Sequence, residues 1–310
     1  MFVELLEELH SKNIQITFTE GKLKYTAPEG AINEDLIKKL KAHKSKLIKY
    51  YWPVKETNFM PIVTGGDKTP FVMVHGELAN YFLSESLEND RPFYGFTHIG
   101  SDGERIKHKS IYDFVNNYYI NLKKVLPHGP YLLGGYSFGG LIAFEMACNL
   151  QKQNDEVPLL VLIDCVPPNL STYNIEEEVV IQKQSIISRF KSFINKYYWK
   201  VYYVSRRNLW NLLTILPITL KPTLRKRIIV EKYNVLLRRY KPVNRFNGKI
   251  LLYVAENSKS SKNNLYQTWY NYCDELEIIK LKGNHETIMK NDESTFVIQK
   301  SFREKLETIA

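Results

Sequence analysis

The run YLLGGYSFGG at residues 131–140 constrains the fold more than any other part of the chain. An apolar strand pattern leads into Ser137, and an apolar helical pattern follows it over residues 141–148. Side chains larger than hydrogen at Gly135 and Gly139 would collide across so tight a strand-to-helix turn. The sequence therefore predicts a sharp turn that presents the Ser137 hydroxyl at the end of a buried strand.

A serine hydroxyl becomes a useful nucleophile only when a base takes its proton and a third group orients that base. The candidate base for Ser137 is His285, in the run GNHE at residues 283–286. This histidine follows the last apolar strand pattern, and no other histidine comes after Ser137 in the sequence. The pair His285-Glu286 does not indicate a zinc peptidase, because Met289 occupies the second histidine position of H-E-x-x-H.

Two carboxylates are candidates for the orienting acid. Asp164 ends the apolar strand pattern of residues 160–163, and Glu256 follows the apolar stretch of residues 249–254. Asp164 is preferred because its strand pattern stops abruptly before a proline pair, whereas Glu256 enters a polar run. The resulting chain order of Ser, Asp and His is typical of α/β-hydrolases.

Backbone amides are expected to form the oxyanion hole. The serine turn aims the N–H of Phe138 at the place where negative charge develops on a reacting carbonyl oxygen. A second donor is expected from the loop after the first strand, VMVHGEL at residues 72–78, with the amide of Glu77 favoured and that of Leu78 as the alternative. His75 belongs to a His-Gly turn and precedes the nucleophile, so it is predicted to shape this loop.

Short apolar strand patterns alternate with helical patterns from about residue 70 onward, as in a mainly parallel sheet covered by helices. The strands are predicted at 71–74, 92–97, 131–135, 159–163, 249–254 and 276–281, and the helices at 111–125, 140–151 and 293–306. The interval of about 166–247 interrupts the alternation and is too long for a simple connection. It is predicted to be an inserted helical lid over the site.

The first 51 residues have a pattern of their own. Helically spaced apolar residues precede two short alternating stretches, and Asn33 can cap a second helical stretch. The predicted order is helix, hairpin, helix. Residues 52–69 mix Pro, Gly, Thr and charge without periodicity, and they are predicted to link this unit to a second one at residues 70–310.

The net charge of +10 is concentrated in one segment. Residues 171–245 contain 16 Lys and Arg against 4 Glu, which gives a net charge of +12. No recognised nucleic-acid-binding module accompanies this basic segment, so nucleic-acid binding is not predicted. The favoured interpretations are solvated helix faces or a surface for an acidic protein partner.

No targeting or membrane signal is evident. The first dozen residues contain three glutamates and lack the basic start and apolar middle of a secretory signal. The apolar runs at 158–166 and 209–220 are too short or too interrupted to span a bilayer. Without C-x-x-C spacing, neither disulfides nor a metal site is predicted for the cysteines, which are Cys148, Cys165 and Cys273. The expected location is the cytoplasm.

The runs HGPYLLGGYSFGGLIAFEMA, LLVLIDCVPP and LKGNHETIM resemble the thioesterase domains that end non-ribosomal peptide and polyketide assembly lines. The likeness covers about residues 70–306 and is weakest in the predicted lid. It implies an α/β-hydrolase fold with Ser137 as nucleophile, Asp164 as orienting acid and His285 as base.

For the reaction, the resemblance implies that Ser137 accepts an acyl or peptidyl chain from a carrier-protein phosphopantetheine thioester. Release then follows by hydrolysis or cyclisation, in the biosynthesis of natural products such as antibiotics. No metal or soluble redox cofactor is implied, because the phosphopantetheine belongs to the carrier protein.

The runs LLEELHSKNIQI, GKLKYTAPEGAI and LIKKLKAHKSKLI resemble the TubC-type N-terminal docking domains of non-ribosomal peptide synthetase subunits. In that family the domain captures a short C-terminal segment of the preceding subunit, partly along the edge of its hairpin. The expected partners are therefore an upstream synthetase subunit and its acyl or peptidyl carrier protein. The alternative is a small unit that merely caps the enzyme.

The chain departs from the thioesterase pattern in two ways. A glycine pair often follows the His-Gly turn in that family, whereas this chain has Glu77-Leu78-Ala79. A docking-like unit also precedes the hydrolase, which favours recruitment in trans. The alternative functions are a repair (type II) thioesterase that clears stalled carriers, an ordinary esterase, lipase or peptidase, and a non-catalytic docking adaptor.

Overall fold

The computed structural model describes residues 2–19, 22–44, 46–47, 58–99, 106–167, 222–258, 261 and 264–309. A hairpin is formed by β1 (Gln15–Thr19) and β2 (Lys22–Thr26). The strands of the main sheet are β3 (Phe59–Val63), β4 (Phe71–Val74), β5 (Phe93–Phe96), β6 (Leu132–Tyr136), β7 (Leu159–Ile163), β8 (Phe246–Ala255) and β9 (Cys273–Leu281). Across the described residues, these seven strands lie in the order β3-β5-β4-β6-β7-β8-β9.

Helices occupy much of the chain between these strands. They are α1 (Phe2–Ser11), α2 (Glu34–Ala42), α3 (Glu77–Ser86), α4 (Ile111–Val125), α5 (Phe138–Lys152), α6 (Pro222–Arg239) and α7 (Asp292–Glu307), with a 3₁₀ helix at Leu265–Asn271. Strands β4 to β9 all pair in parallel with their neighbours among themselves. Within the described sheet, only β3 pairs antiparallel, with β5. The predicted α/β class with a mainly parallel sheet is confirmed.

The centre of the sheet is apolar on both faces. All five residues of β7 are buried, as expected for a central parallel strand with helices above and below it. The strand pairing brings Tyr136 beside Ile163 and Ala255 beside Leu281. Residues that follow these strands therefore meet at one edge of the sheet.

The N-terminal unit has the predicted order of helix, hairpin, helix. Asn33 caps α2, because its side-chain oxygen accepts a hydrogen bond of 2.9 Å from the amide of Leu36. The core of this unit contains a residue from α3 as well as its own, and its buried members are Phe2, Leu5, Leu9, Ile14, Ile16, Leu36, Leu47 and Tyr81. The N-terminal unit thus packs on α3.

Two contacts attach α1 to the part of the chain that contains the main sheet. The rings of Phe2 and Tyr81 have centroids 4.6 Å apart. Lys290 forms an ion pair of 2.6 Å with Glu7 of α1. The described residues of both regions belong to one compact unit, within the ranges 1–97, 114–167 and 243–310.

The structure corrects part of the predicted linker. Residues 59–63, inside the predicted 52–69 segment, form strand β3 at the edge of the main sheet. Most of the predicted lid, residues 168–221, lies outside the described residues, as does most of the basic segment. The described remainder contains α6, which belongs to a second compact unit together with residues 98–99 and 106–113. That the lid covers the site stays a prediction.

Candidate active site

Ser137 lies between β6 and α5 with backbone angles φ 53° and ψ −120°. A positive φ is rare and strained for a residue other than glycine, and such strain persists only where neighbours enforce it. Here the Ser137 amide donates to the Ile163 carbonyl at 2.9 Å, and its own carbonyl accepts from the Gly140 amide at 2.9 Å. The serine is thus held at the sharp turn that the sequence predicts.

The flanking glycines are required by close backbone contacts. A Cβ on Gly139 would press against the Val74 carbonyl oxygen, and a Cβ on Gly135 would press against the backbone of Gly139. These contacts leave no room for a side chain at position 135 or at position 139.

Asp164 directly follows β7, and its side chain is 1% exposed. One carboxylate oxygen, Oδ2, lies 2.6 Å from Nδ1 of His285. The other, Oδ1, accepts hydrogen bonds from the Ala255 amide at 3.0 Å and from the Tyr266 hydroxyl at 2.5 Å. Both oxygens of this buried carboxylate therefore have donors, which offsets the cost of removing the charge from water.

Glu256, the rival acid, is exposed at the end of β8. Its amide donates to the carbonyl of Leu281 at 2.9 Å. The structure pairs His285 with Asp164, the carboxylate that the sequence favours.

His285 lies on the loop after β9, and its side chain is 45% exposed. The ring of Tyr136 stacks on the imidazole, with centroids 5.3 Å apart and an interplanar angle of 25°. The Tyr136 hydroxyl also donates to the His285 carbonyl oxygen. Burial, followed by the charge of Asp164, raises the pKa of Tyr136, so this phenol remains a donor at neutral pH. Tyr136 thus holds both the ring and the backbone of His285.

The turn before His285 is shaped by its neighbours. Gly283 has φ 110°, a conformation that favours glycine. The side-chain oxygen of Asn284 accepts from the Glu286 amide at 2.9 Å and from the Thr287 amide at 3.1 Å. These bonds fix the loop that presents the imidazole.

The predicted oxyanion donors begin two helices. Phe138 is the first residue of α5, and Glu77 is the first residue of α3. First-turn amides point out of a helix N-terminus. Because β4 pairs with β6, with Val74 opposite Gly135, the two helix starts follow neighbouring strands. Their role as donors, and that of Leu78 one position later, stays a prediction.

His75 lies beneath this region. Its side chain is buried, and Nε2 lies 2.8 Å from the Tyr118 hydroxyl. Its ring is nearly parallel to that of Phe138, at 6.2 Å between centroids and 13° between planes. These contacts fit the predicted loop-shaping role.

Sequence reasoning missed two tyrosines at the site. Tyr136 was visible inside the serine motif, but a position next to a nucleophile gives no signal of stacking on a distant histidine. Tyr266 lies 102 positions from Asp164, and no local pattern links the two.

No metal cluster or membrane span is found where the structure gives positions. Among those residues, no group of three or more His, Cys, Asp or Glu side chains is arranged to hold a metal ion. None of the helices described is both long enough and apolar enough to cross a bilayer.

A serine at a strand-to-helix turn, with an acid and a histidine after later parallel strands, is the arrangement of α/β-hydrolases. Solved structures agree with this fold. The NocB thioesterase domain in covalent complex with a fluorophosphonate nocardicin G analog matches with a TM-score of 0.53 and 20% identity. The match covers 80% of this chain and 99% of that one.

Two family models then define the chain more closely. Residues 77–183 match the thioesterase domain, and residues 3–52 match the TubC N-terminal docking domain. The resemblance drawn from the motifs, to a thioesterase domain preceded by a TubC-type docking domain, is therefore confirmed.

Several relatives are named as synthetases. Atromentin synthetase of Tapinella panuoides is 37% identical over 116 residues, which is 36% of this chain and 12% of that protein. Malpinin synthetase of Mortierella alpina is 29% identical over 256 residues, or 80% of this chain and 3% of that protein. A further relative, from Paxillus involutus, is named an inactive atromentin synthetase. The chain thus spans only a small part of the length of these relatives.

Proposed function

We propose that this chain is a serine thioesterase that releases an acyl or peptidyl chain from a carrier-protein phosphopantetheine thioester in natural-product biosynthesis. The observation that carries the proposal is the 2.6 Å contact between His285 and the buried Asp164, on loops that follow the same parallel sheet as the strained Ser137. The thioesterase-domain match over residues 77–183, which includes both Ser137 and Asp164, supports a thioester as the substrate class.

In the first half-reaction, the Ser137 hydroxyl oxygen attacks the thioester carbonyl carbon while His285 Nε2 takes its proton. The amides of Phe138 and Glu77 stabilise the oxyanion. When the tetrahedral intermediate collapses, the carbon–sulfur bond breaks, and His285 returns the proton to the leaving thiolate. The products are the acyl-serine and the free phosphopantetheine thiol. Asp164 accepts the hydrogen bond from the Nδ1–H of His285 and so keeps the ring in the required orientation.

In the second half-reaction, a water molecule or a nucleophile within the acyl chain attacks the ester carbon. His285 accepts its proton and then protonates the Ser137 oxygen as the ester bond breaks. Water gives a free acid, and an internal amine or hydroxyl gives a ring. Neither route requires a redox cofactor, because no oxidation state changes.

The N-terminal unit is proposed to bind a C-terminal segment of an upstream synthetase subunit and so recruit that subunit's carrier protein. Strand addition to the hairpin is the expected mode. Lys24 and Tyr25 on β2 are exposed, and Tyr25 is 58% exposed. They would offer a cation and an apolar surface to a peptide strand added beside the hairpin. The TubC docking match over residues 3–52 supports this assignment.

A non-catalytic adaptor is the second candidate, and it is favoured by the relative that is named inactive. A repair thioesterase would use the same site on many different carriers. The adaptor binds carriers without forming an acyl-enzyme, whereas the repair enzyme forms it without regard to the upstream partner.

The test is hydrolysis of a small acyl thioester by full-length protein, with intact-mass detection of the acyl adduct. Ser137→Ala should lower kcat about 10⁴-fold or more and abolish the adduct, because the covalent intermediate requires the hydroxyl. Ser86→Ala, at a half-buried serine of α3, is the matched control and should retain turnover. Full turnover by Ser137→Ala in a pure preparation would end the serine mechanism. No adduct on the native protein, with carrier binding intact, would favour the adaptor.

A further inference from the structure

The orienting acid has a second side-chain partner besides the histidine. Asp164 Oδ1 accepts from the Tyr266 hydroxyl at 2.5 Å, while Oδ2 lies 2.6 Å from His285 Nδ1. Oδ1 also accepts from the Ala255 amide at 3.0 Å, so groups from three segments hold the two oxygens of this carboxylate. A carboxylate fixed at both oxygens cannot rotate about its terminal torsion without losing one of these bonds.

Tyr266 is itself firmly placed. Its side chain is 4% exposed, in the 3₁₀ helix Leu265–Asn271. The same helix has a second anchor beside the acid, because Trp269 Nε1 donates to the Cys165 carbonyl at 2.9 Å. This 3₁₀ helix therefore forms hydrogen bonds to both Asp164 and Cys165, the two residues that follow β7.

The phenol is suited to act as a permanent donor. Burial raises the pKa of Tyr266, and the nearby Asp164 charge raises it further. Ser258 Oγ, its other polar neighbour, lies at 3.5 Å, the outer limit of a hydrogen bond. The short bond to Asp164 is accordingly the dominant one.

We propose that Tyr266 is a positioning residue for the thioesterase reaction, which holds the Asp164 carboxylate in the orientation that directs His285 toward Ser137. This inference rests on the proposed serine mechanism. Tyr266 touches neither substrate nor reacting atoms and acts only through Asp164. Its removal should therefore slow the chemical step and leave substrate binding alone.

Tyr266→Phe deletes only the hydroxyl, and Tyr270→Phe is the matched control, because Tyr270 lies in the same 3₁₀ helix and is 56% exposed. With a small acyl thioester, Tyr266→Phe should lower kcat about 10-fold, which is the loss of one hydrogen bond to a charged group, and should keep KM within about twofold. Tyr270→Phe should match the native enzyme in both constants.

A double-mutant cycle separates positioning from a general loss of structure. In an Asp164→Asn background, adding Tyr266→Phe should change kcat by less than about twofold, because its route of action is already gone. The downfield proton resonance of the His285 Nδ1–H should also shift in Tyr266→Phe and stay in place in Tyr270→Phe.

Three results would overturn the inference. The first is a Tyr266→Phe variant with native kcat and an unshifted His285 Nδ1–H resonance. The second is a 10-fold loss of kcat that persists when Tyr266→Phe is added to Asp164→Asn, and the third is a Tyr266→Phe effect on KM alone. If Tyr266→Phe does not fold, a fluorinated tyrosine at position 266 keeps the shape and strengthens the donor, and an unchanged resonance there would refute the inference equally. Turnover by Ser137→Ala, by contrast, would refute the serine mechanism whatever Tyr266→Phe does.

Discussion

Phe2→Ala tests whether the N-terminal unit is a packed part of the hydrolase. The Phe2 side chain is 6% exposed, and its ring lies 4.6 Å from that of Tyr81. Tyr81 is on α3, the helix that begins at the candidate oxyanion donor Glu77. The Lys46 ammonium lies 5.7 Å from the centre of the same Tyr81 ring. The loss of the Phe2 side chain should therefore destabilise α3 as well as α1.

The expected magnitude follows from burial. An aromatic side chain removes about 150–250 Å² from water, and at about 25 cal/mol per Å² that is about 4–6 kcal/mol. Substitutions of buried Phe by Ala cost about 3–5 kcal/mol. With about 2 °C of Tm lost per kcal/mol in a large domain, the Tm of the hydrolase should fall by about 6–10 °C.

Hydrogen exchange read by mass spectrometry, alongside calorimetry, can locate the effect. Faster exchange is expected in peptides from α1 and α3, with smaller changes in the central strand β7. Turnover of a small thioester should fall together with the protection of α3. Tyr25→Ala is the matched control, because Tyr25 is 58% exposed on the hairpin and such surface changes usually cost within about 0.5 kcal/mol.

A different outcome would refute this reasoning. If Phe2→Ala loosened residues 2–47 alone, with α3, the hydrolase Tm and small-thioester turnover all unchanged, the N-terminal unit would be independent of the hydrolase. The contact with Tyr81 would then contribute nothing measurable.

Two further predictions concern the site. Asp164→Asn should lower kcat about 10⁴-fold and Glu256→Ala less than about twofold; the reverse order would exchange the orienting acid. Treatment with iodoacetamide at pH 8 should leave turnover unchanged, because only a thiolate reacts readily. Burial raises the pKa of Cys273 to about 11, and it also raises the pKa of Cys148 and Cys165, so all three thiols stay protonated. Rapid inactivation with one alkylated cysteine would instead implicate a thiol in the reaction.

Elements whose information is local could be predicted from the sequence. The bounds of β4, β7 and α4 are those that apolar spacing predicts. The turn at Ser137 could also be predicted, because the close backbone contacts of such a turn require glycine at positions 135 and 139. In each case one short window contains the whole physical reason.

Elements that depend on tertiary contacts could not be predicted, or could be predicted only imprecisely. Strand β3 contains Pro61, which lowers strand propensity but is tolerated at the edge of a sheet. Helix α3 buries the polar residues Asn80 and Ser84, which obscures its amphipathic pattern. The contact between Tyr266 and Asp164 depends on the folded topology, which brings the 3₁₀ helix beside the end of β7.

The packing of the N-terminal unit changes what docking contributes to the proposed function. A unit on a flexible linker can only raise the local concentration of the carrier. Here α1 contacts α3 through Phe2, and Glu7 reaches Lys290 in the segment that follows His285. The exposed ion pair contributes at most about 1 kcal/mol, so the apolar contact dominates the attachment. An upstream segment that bound to the hairpin as proposed would then lie in a defined place relative to both segments that flank the site, and docking would orient the incoming thioester as well as raise its concentration.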